Sequence, residues 1–509
     1  MNYPFWDVGM GYGWLMAAIA IPHVFVSHFA VGGGLYLVVA ETFARKANDA
    51  FRLEFLKRLT KFFVLVTLVF GALTGVGIWF IIGLLNPAAT EALIHHYVWG
   101  WATEWTFFVI EILAAILYLY GWDRMTPKNH MILGWIYFIA AWVSLAIING
   151  ILTFMLTPGG WLETGNFWQG FFNETYFSST VFRTGICLLL AGLFSLTVAA
   201  AQPAHERKAS LIRYNAIWAL LGLIVITPSF YWFFASIPAA IRDTASQIMP
   251  FVTARIDQMY WYGLGLAVLV LFGLLVPKRF MTFVGVVAML LGFIWFGQFE
   301  WMREAIRKPY IIYGYMYGNA LEIAHADDYK ADGLLAHIAY RTGDNGADLY
   351  LHTCRSCHTM DGYKALKPWF DGTDEDFIAG IVRGTGVMVG NMPPWMGTEE
   401  ESRMVAAHIY KEVDQRPFNE VYGLSGVELG HKVFDIRCGV CHQMGGNLDV
   451  SGSLTGLEDQ DYEDILDAAG EFADEMPDFT GDDVERAALI EYFKTLGTQE
   501  GGSNVSAEL

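Results

Sequence analysis

The chain has 509 residues, of which 54% are hydrophobic and only 16% are charged. Such a composition excludes a single soluble globule and indicates that part of the chain lies in lipid. Residues 1–320 carry a net charge of +4 and residues 321–509 a net charge of −23, so the composition changes near residue 320. We predict an apolar membrane half followed by an acidic polar half. The acidic charge excludes nucleic acid as a partner, because a phosphate backbone requires a basic surface.

The first half contains eight apolar runs that are long enough to cross a bilayer, which takes about 20 residues. They cover approximately residues 12–42, 60–86, 99–121, 131–156, 179–201, 211–235, 258–276 and 280–300. The first run lacks a basic n-region and a small-residue cleavage site, so we expect it to be retained as a helix. The sequence therefore predicts an all-α, polytopic transmembrane bundle.

Basic residues are concentrated in alternate connections between these runs. The connections after the first, third, fifth and seventh runs contain Arg45, Lys46, Arg52, Lys57, Arg58, Lys61, Arg124, Lys128, Arg207, Lys208, Arg213, Lys278 and Arg279. The segments "NPAATEALIHHY" and "LTPGGWLETGNFWQGFFNETYF" contain no Lys or Arg. The positive-inside bias places the basic connections in the cytoplasm. We therefore expect the N-terminus and the acidic half on the periplasmic side of a bacterial cytoplasmic (inner) membrane.

Four of the five cysteines belong to two Cys-x-x-Cys-His motifs in the acidic half. The motifs are Cys354, Cys357 and His358, and Cys438, Cys441 and His442. This pattern is typical of covalent haem c attachment, in which the cysteines form thioethers and the histidine ligates iron. A zinc site or a chance redox pair is the alternative. The fifth cysteine, Cys187, lies in an apolar run and is predicted to be an inert buried thiol.

Each motif is followed by a candidate second iron ligand. Met392 and Met476, both followed by proline, lie 34 residues after the histidine of their motif. A methionine in this place is the usual second ligand of a soluble cytochrome c, which argues against zinc. We also expect Gly346 and Gly430 to open the helix before each motif, and a helical stretch to follow each methionine. The two units therefore form a tandem repeat of period 84 and resemble small class I cytochrome c domains.

These patterns divide the chain into five segments. We predict a membrane domain at 1–310, a linker at 311–340, a first cytochrome c domain at 341–420, a second at 421–500 and a tail at 501–509.

Ionisable side chains within the apolar runs are costly in lipid and are therefore candidates for function. The first run contains His23 and His28, and the third contains Glu104 and Glu111. The two histidines point about 140° apart on one helix, so they cannot ligate one iron. His23 either ligates a membrane haem or is a buried histidine bonded to a neighbouring helix, which is our interpretation of His28. The glutamates either belong to a proton path or quinone contact, or are protonated carboxyls hydrogen-bonded to a neighbouring helix.

Several of these segments resemble subunit I of cytochrome bd quinol oxidases. They are "HVFVSHFAVGGGLYLVVAET", "FFVIEILAAILYLYGWDRM", the Asn149-Gly150 pair and "REAIRKPY" after the eighth run. The resemblance covers most of residues 1–310 and implies a helical subunit that binds up to three haems, oxidises quinol and reduces dioxygen. It matches His23 to the histidine at the oxygen-reducing haem and Glu111 to one carboxylate of a proton-delivery pair. Glu104 lies one position away from the place of the second carboxylate of that pair.

The chain departs from this family at the other membrane haems. The family ligates a low-spin haem b with a histidine in span five and a methionine in span seven. This chain has Phe182 or Arg183 at the first place, and Asp257 at the second with Met259 nearby. The carboxylate of a further haem b has only Glu300 as a shifted substitute. The chain therefore lacks most of the haem ligands that the family uses for dioxygen reduction.

These features favour a membrane electron-transfer subunit of a larger respiratory complex, which passes electrons between quinone or quinol and two periplasmic haems c. One further membrane haem, b or d, would be held by His23. The protons of quinol would be accepted by Glu104 or Glu111, or by Glu304 beside Arg307. The partners would be membrane lipid, other membrane subunits and a basic soluble redox protein attracted by the acidic half.

Two alternatives remain. One is a bd-type quinol oxidase that reduces dioxygen, and the other is a haem-free membrane anchor for a dihaem cytochrome c.

Overall fold

The structure is a computed structural model that describes residues 6–248, 250–388, 392–473 and 476–496. The predicted tail at 501–509 lies outside these residues. The chain forms two compact units. One consists of Leu15–Tyr315, and the other combines Met1–Trp14 with Met316–Leu509.

The described residues contain eight helices that are long and apolar enough to cross a membrane, which confirms the eight predicted spans. They are α1 (Tyr12–Lys46), α2 (Ala50–Val64) continued through the π-helical segment Leu65–Gly71 into α3 (Ala72–Leu85), α5 (Val98–Gly121), α6 (Pro127–Leu156), α9 (Tyr176–Ala200), α10 (Lys208–Ser236), α12 (Pro250–Leu275) and α13 (Thr282–Ala305). Shorter helices connect them: α4 (Pro87–His96), α7 (Trp161–Thr164), α8 (Phe167–Phe171) and α11 (Ala239–Ile248).

The second span begins earlier than its apolar run predicts. Only residues 47–49 separate α1 from α2, so most of the predicted basic loop is helix. The side chain of Asp49 caps α2 by accepting a hydrogen bond from the Arg52 backbone N–H at 3.0 Å. Phe55 and Leu59 are buried, so an amphipathic turn extends the span beyond its fully apolar part.

Small residues allow close helix contacts in the centre of the membrane unit. A Cβ atom at Gly192 of α9 would lie 2.2 Å from the backbone nitrogen of Ala219 in α10. At Gly32 of α1 it would lie 1.8 Å from the carbonyl oxygen of Cys187 in α9. Membrane helices commonly approach each other at such residues. Cys187 is 2% exposed, so its prediction as a buried thiol is confirmed.

The rest of the chain is mainly helical. Two short strands, β1 (Tyr310–Ile312) and β2 (Met316–Tyr317), precede the helices α14 (Ala326–Asp332), α15 (Leu334–His337), α16 (Asn345–Thr353), α17 (Lys367–Phe370), α18 (Glu375–Arg383), α19 (Glu399–Tyr410), α20 (Phe418–Tyr422), α21 (Gly426–Val433), α22 (Asp459–Asp467) and α23 (Asp483–Leu496). Helices α16 and α21 precede the two cysteine motifs, and α19 and α23 follow the two methionines, as predicted.

Gly346 and Gly430 mark where helices cross. A Cβ atom at Gly346 would lie 2.5 Å from the carbonyl oxygen of Met404 in α19. At Gly430 it would lie 1.9 Å from the carbonyl oxygen of Ala488 in α23. Gly430 is the fifth residue of α21, so the prediction that it opens its helix is wrong. The position requires glycine because two backbones touch there.

We expect Gly430→Ala to destabilise the second cytochrome module by about 1–3 kcal/mol, because the added methyl group forces α21 away from the backbone of α23. Gly452→Ala is the matched control, since no atom lies within 4 Å of a Cβ built at Gly452. Thermal unfolding followed by haem absorbance measures the difference. Equal melting temperatures for the two variants would contradict the crossing argument.

Candidate functional site

The two haem-attachment motifs fix their histidines in the same way. The Nδ1 atom of His358 lies 3.1 Å from the carbonyl oxygen of Lys364, and that of His442 lies 2.8 Å from the carbonyl oxygen of Leu448. Each carbonyl, six residues after its histidine, accepts a hydrogen bond from Nδ1–H, which leaves Nε2 as the nitrogen with a lone pair, the atom that the predicted iron ligation requires. Burial lowers the pKa of His358 to about 4, so this imidazole is neutral at physiological pH, the form that binds metal.

The cysteines of both motifs lie on matching turns. The backbone N–H groups of His358 and His442 donate to the carbonyl oxygens of Cys354 and Cys438, at 2.9 and 2.8 Å. These two cysteines, like Cys357 and Cys441, are half-buried and form no disulfide. Burial raises the pKa of Cys354 to about 11 and that of Cys438 to about 12. Neutral, unpaired thiols beside an oriented imidazole fit thioether attachment of haem.

The zinc alternative finds no support in the geometry. Among the described residues, no group of three or more His, Cys, Asp or Glu side chains is placed to hold a metal ion.

The two candidate methionine ligands occupy corresponding places. Met392 is half-buried and lies in the chain after the 3-10 segment Gly384–Val387 and before α19. Met476 is half-buried and lies in the chain after the 3-10 segment Ala469–Glu471 and before α23. Residues 389–391 and 474–475, which immediately precede the two methionines, lie outside the described residues. The iron-ligating role of both methionines stays a prediction.

A contact that the sequence did not reveal involves the first motif. The guanidinium group of Arg355, between the two cysteines, donates to the carboxylate of Asp7 and to the carbonyl oxygen of Val8. A Cβ atom at Gly362 would lie 2.4 Å from the carbonyl oxygen of Gly9. The segment of residues 6–11 therefore packs directly on the first haem-attachment motif.

His23 in α1 is held at one nitrogen. Its Nδ1 lies 3.1 Å from the carbonyl oxygen of Gly71 and 3.1 Å from the hydroxyl oxygen of Thr74. Gly71 ends the π-helical segment Leu65–Gly71, and such segments are frequent at functional sites. Among the described residues, His23 Nε2 has no hydrogen-bond partner. The histidine is therefore bonded to a neighbouring helix, which was one of the two predicted alternatives; its role as a haem ligand stays a prediction.

His28 belongs to a buried ionic network instead. Its Nδ1 donates to the Val24 carbonyl at 2.6 Å, and its Nε2 accepts from Arg183 Nη1 at 3.3 Å. Arg183 Nη1 lies 2.9 Å from Glu300 Oε1, and Glu300 Oε2 lies 3.0 Å from Arg303 Nε. The interpretation of His28 as a buried histidine bonded to a neighbouring helix is confirmed.

Two residues of this network stand where the resemblance expects ligands of two different haems. Arg183 is at the place of the low-spin haem b histidine, and Glu300 is the shifted substitute for the carboxylate of a further haem b. Arg183 is 2% exposed, and its Nε donates to Asn149 Oδ1 at 3.0 Å. A guanidinium group carries no lone pair for iron, and Glu300 is paired with Arg183 and Arg303. These two residues do not fit a haem b at either place. Buried charges in a membrane require partners, and the ion pairs supply them between α9 and α13.

The two glutamates of α5 bond to hydroxyl groups of α6. Glu104 accepts from the Ser144 hydroxyl at 2.8 Å. The Tyr137 hydroxyl lies 3.1 Å from Glu111 Oε1 and 3.1 Å from the Ala30 carbonyl oxygen. The Tyr137 hydroxyl has one proton for these two acceptors. If Glu111 were protonated, it could donate to the Tyr137 oxygen while the Tyr137 hydroxyl donates to the Ala30 carbonyl, and all three groups would be hydrogen-bonded. Glu111 can therefore bind or release a proton at this contact.

A second buried cluster surrounds Glu41 at the end of α1. The carboxylate, fully buried, accepts from Arg45 and from the Tyr118 hydroxyl, both at 2.6 Å, and lies 2.8 Å from His130 Nδ1. His130 Nε2 donates to the Tyr118 carbonyl at 2.9 Å. A small cavity lined by Tyr118 and Tyr137 adjoins it. The sequence showed Glu41 within an apolar run, but no signal paired it with His130.

Glu304 and Arg307 form the contact that their spacing suggested. Arg307 Nη2 donates to both carboxylate oxygens of Glu304 at 2.6 Å, and Lys308 Nζ lies 3.3 Å from Oε1. Because two cations already hold this carboxylate, Glu304 is a weaker candidate for proton acceptance than Glu104 or Glu111.

The comparisons with known proteins agree with this architecture. Residues 13–234 match the family model for cytochrome bd terminal oxidase subunit I, and residues 341–409 match that for cytochrome c oxidase, cbb3-type, subunit III. The chain therefore contains a region that matches cytochrome bd subunit I and, after it, a region that matches a cytochrome c subunit, and both matches imply haem binding.

Two relatives show the extent of the similarity. The "Putative cytochrome bd menaquinol oxidase subunit I" of Bacillus subtilis (strain 168) is 25% identical over 214 residues, which are 40% of this chain and 47% of that protein. The chain thus matches about half the length of this curated relative. The structure of bd oxidase from Geobacillus thermodenitrificans superposes with a TM-score of 0.54 at 18% identity, covering 65% of this chain and 96% of that one. The second likeness shows the fold alone.

Proposed function

We propose that this protein is a membrane electron-transfer subunit that passes electrons between quinol and two c-type haems. The observation that carries the proposal is the matched pair of histidines, His358 and His442. Each is fixed through Nδ1 on a carbonyl six residues later, next to two unpaired thiols. When bound, the haems supply one-electron chemistry; the chain orients their ligands.

The membrane half has fewer candidate haem sites than dioxygen reduction needs, which supports a role as electron donor to the haems c. His23 offers one nitrogen for a membrane haem, while Arg183 and Glu300 pair with each other where the resemblance expects ligands of two further haems. Reduction of dioxygen to water requires several electrons at one centre, and one membrane haem site does not provide for them. Transfer of electrons one at a time to the two haems c does not require a centre that holds several electrons. A relative named as a menaquinol oxidase subunit supports quinol as the reductant.

Quinol releases two protons for every two electrons, and these protons need acceptors. Glu104 and Glu111 lie seven residues apart on α5 and therefore about two turns apart on one face. Both bond to hydroxyl groups of α6. We assign them as the proton acceptors or quinone contacts of the membrane half.

The acidic half is proposed to face the periplasm and to meet a basic redox protein there. The packing of residues 6–11 on the first motif supports a common side for the N-terminus and this half. The charge of −23 on residues 321–509 would attract a basic partner.

We expect His23→Ala to remove any non-c haem from the complex that contains this chain and to abolish reduction of the haems c by quinol. The imidazole is the candidate ligand, and its loss leaves the c motifs unchanged. A pyridine haemochrome spectrum and stopped-flow reduction in liposomes measure both effects. His95→Ala, at an exposed position, is the matched control and should change neither.

Two results would contradict the proposal. Haem c alone without reduction by quinol would leave a membrane anchor, and quinol-dependent oxygen consumption abolished by His23→Ala would indicate an oxidase.

A further inference from the structure

The two cytochrome modules meet around one buried arginine of the second module. Arg437, which precedes Cys438, donates from Nε to Glu485 Oε2 at 2.6 Å and from Nη2 to Oε1 at 3.1 Å. Its Nη1 lies 3.2 Å from Asp374 Oδ2 in the first module and 3.2 Å from the Thr480 hydroxyl. The Arg437 side chain is only 3% exposed, whereas Asp374 is 37% exposed, so a buried guanidinium of the second module meets a partly solvated carboxylate of the first.

Aromatic rings and a shared carboxylate complete the contact. The guanidinium carbon of Arg437 lies 4.9 Å from the ring centroid of Phe377 in α18 and 5.8 Å from that of Phe479. Such cation–π contacts strengthen when they are desolvated. Asp374 caps α18 through the Phe377 backbone N–H at 2.8 Å and accepts from the Thr480 hydroxyl at 2.7 Å. One carboxylate therefore orders the start of α18 and binds the second module.

The methionine loop of the second module packs against the same helix. A Cβ atom at Gly380, in the middle of α18, would lie 2.5 Å from the Cβ of Pro477. Pro477 follows Met476, the predicted second ligand. The absence of a side chain at Gly380 is therefore what allows this loop to approach the first module so closely.

These contacts are made by the chain neighbours of two residues that are predicted to hold the second haem. Arg437 is the chain neighbour of a cysteine that attaches the haem, and Pro477 is the neighbour of its predicted methionine ligand. Both neighbours touch the first module at α18 or its cap. If this surface only joined the modules, it would not have to include the chain neighbours of both Cys438 and Met476, the two residues predicted to hold one haem.

We propose that α18 and the Met476-Pro477 loop form the surface through which the two haems exchange electrons, with Arg437 as the positioning residue that keeps it closed. The inference rests on the proposed function of the two motifs as haem sites. With haems held by His358 and His442, the exchange would be a transfer of one electron from a ferrous to a ferric haem, with no bond made or broken and no proton moved.

Asp374→Asn tests the proposal in the full-length protein. Asparagine is as good a helix cap as aspartate, so α18 is kept while the charge facing Arg437 is lost. Imidazole titration of the ferric protein should show two phases, and the one that moves to much lower imidazole concentration in Met476→Ala belongs to the second haem. We expect that phase to shift to about tenfold tighter imidazole binding, equivalent to about 1.4 kcal/mol. Haem-to-haem equilibration after photochemical injection of one electron should slow by at least a similar factor.

Gly380→Val provides an independent second variant, because it retains every charge and separates the surfaces sterically. It should slow the equilibration and shift the same imidazole phase. Lys494→Gln is the matched control. Lys494 pairs with Asp459 inside the second module, at 2.6 Å, and its replacement should change neither quantity.

Equilibration at the wild-type rate in both variants would overturn the proposal, as would equal shifts of both imidazole phases. These measurements use a photochemical reductant and no quinol, so their failure is distinct from failure of the quinol-dependent reaction.

Discussion

Glu300→Gln is expected to destabilise the membrane half by about 3–5 kcal/mol, the usual cost of breaking a buried ion pair by removing one partner. The Glu300 carboxylate lies between Arg183 and Arg303, at 2.9 and 3.0 Å, and is 7% exposed. Glutamine retains the shape and one carbonyl oxygen but leaves two buried guanidinium charges facing each other. Thermal or denaturant unfolding of the detergent-solubilised protein measures the loss.

Arg183→Met provides the comparison that identifies the cause. It leaves Glu300 paired with Arg303, so we expect a smaller loss than for Glu300→Gln. The double variant should be more stable than Glu300→Gln alone, because it removes one of the two unbalanced cations. A double variant no more stable than Glu300→Gln, or a larger loss for Arg183→Met, would show that packing rather than charge dominates here.

Cys354→Ala combined with Cys357→Ala is expected to halve the covalent haem, from two haems to one per chain. Each motif has its own cysteines, histidine and preceding helix, so the second should load without the first. Covalent haem survives denaturing electrophoresis, and a pyridine haemochrome assay per chain counts it.

Cys187→Ala is the control for this prediction, because Cys187 is buried in the membrane unit and should leave the haem count at two. A double variant that retained both haems would refute the assignment of the first motif. Complete loss of haem would show instead that the second module cannot load alone.

The fold was predictable because its determinants are local. A run of about 20 apolar residues has few alternatives to a membrane helix, and all eight spans are present. The cysteine motifs and the helices around them follow from spacing within a repeat. Gly430 is an exception. It lies inside α21, because the place where α23 crosses α21 decides where glycine is required, and α23 is distant in sequence.

The candidate site was predictable only in part, because its buried charges find their partners far along the chain. Arg183 and Glu300 looked like imperfect haem ligands in the sequence, and only their 2.9 Å contact shows that they satisfy each other. In the sequence Arg437 is only the residue that precedes the second cysteine motif. Its partners Asp374 and Glu485 lie 63 and 48 positions away, and no local pattern selects them.

The contact between Arg355 and residues 7–8 also bears on how the protein is made. The two partners lie 348 and 347 positions apart, and at typical rates of synthesis about 20–70 seconds separate their emergence from the ribosome. The first cysteine motif, which is synthesised after the eight spans, is therefore contacted by a segment that is synthesised before them. A bulky fusion partner before residue 6 should consequently impair maturation of the first cytochrome while leaving membrane insertion and the second cytochrome intact.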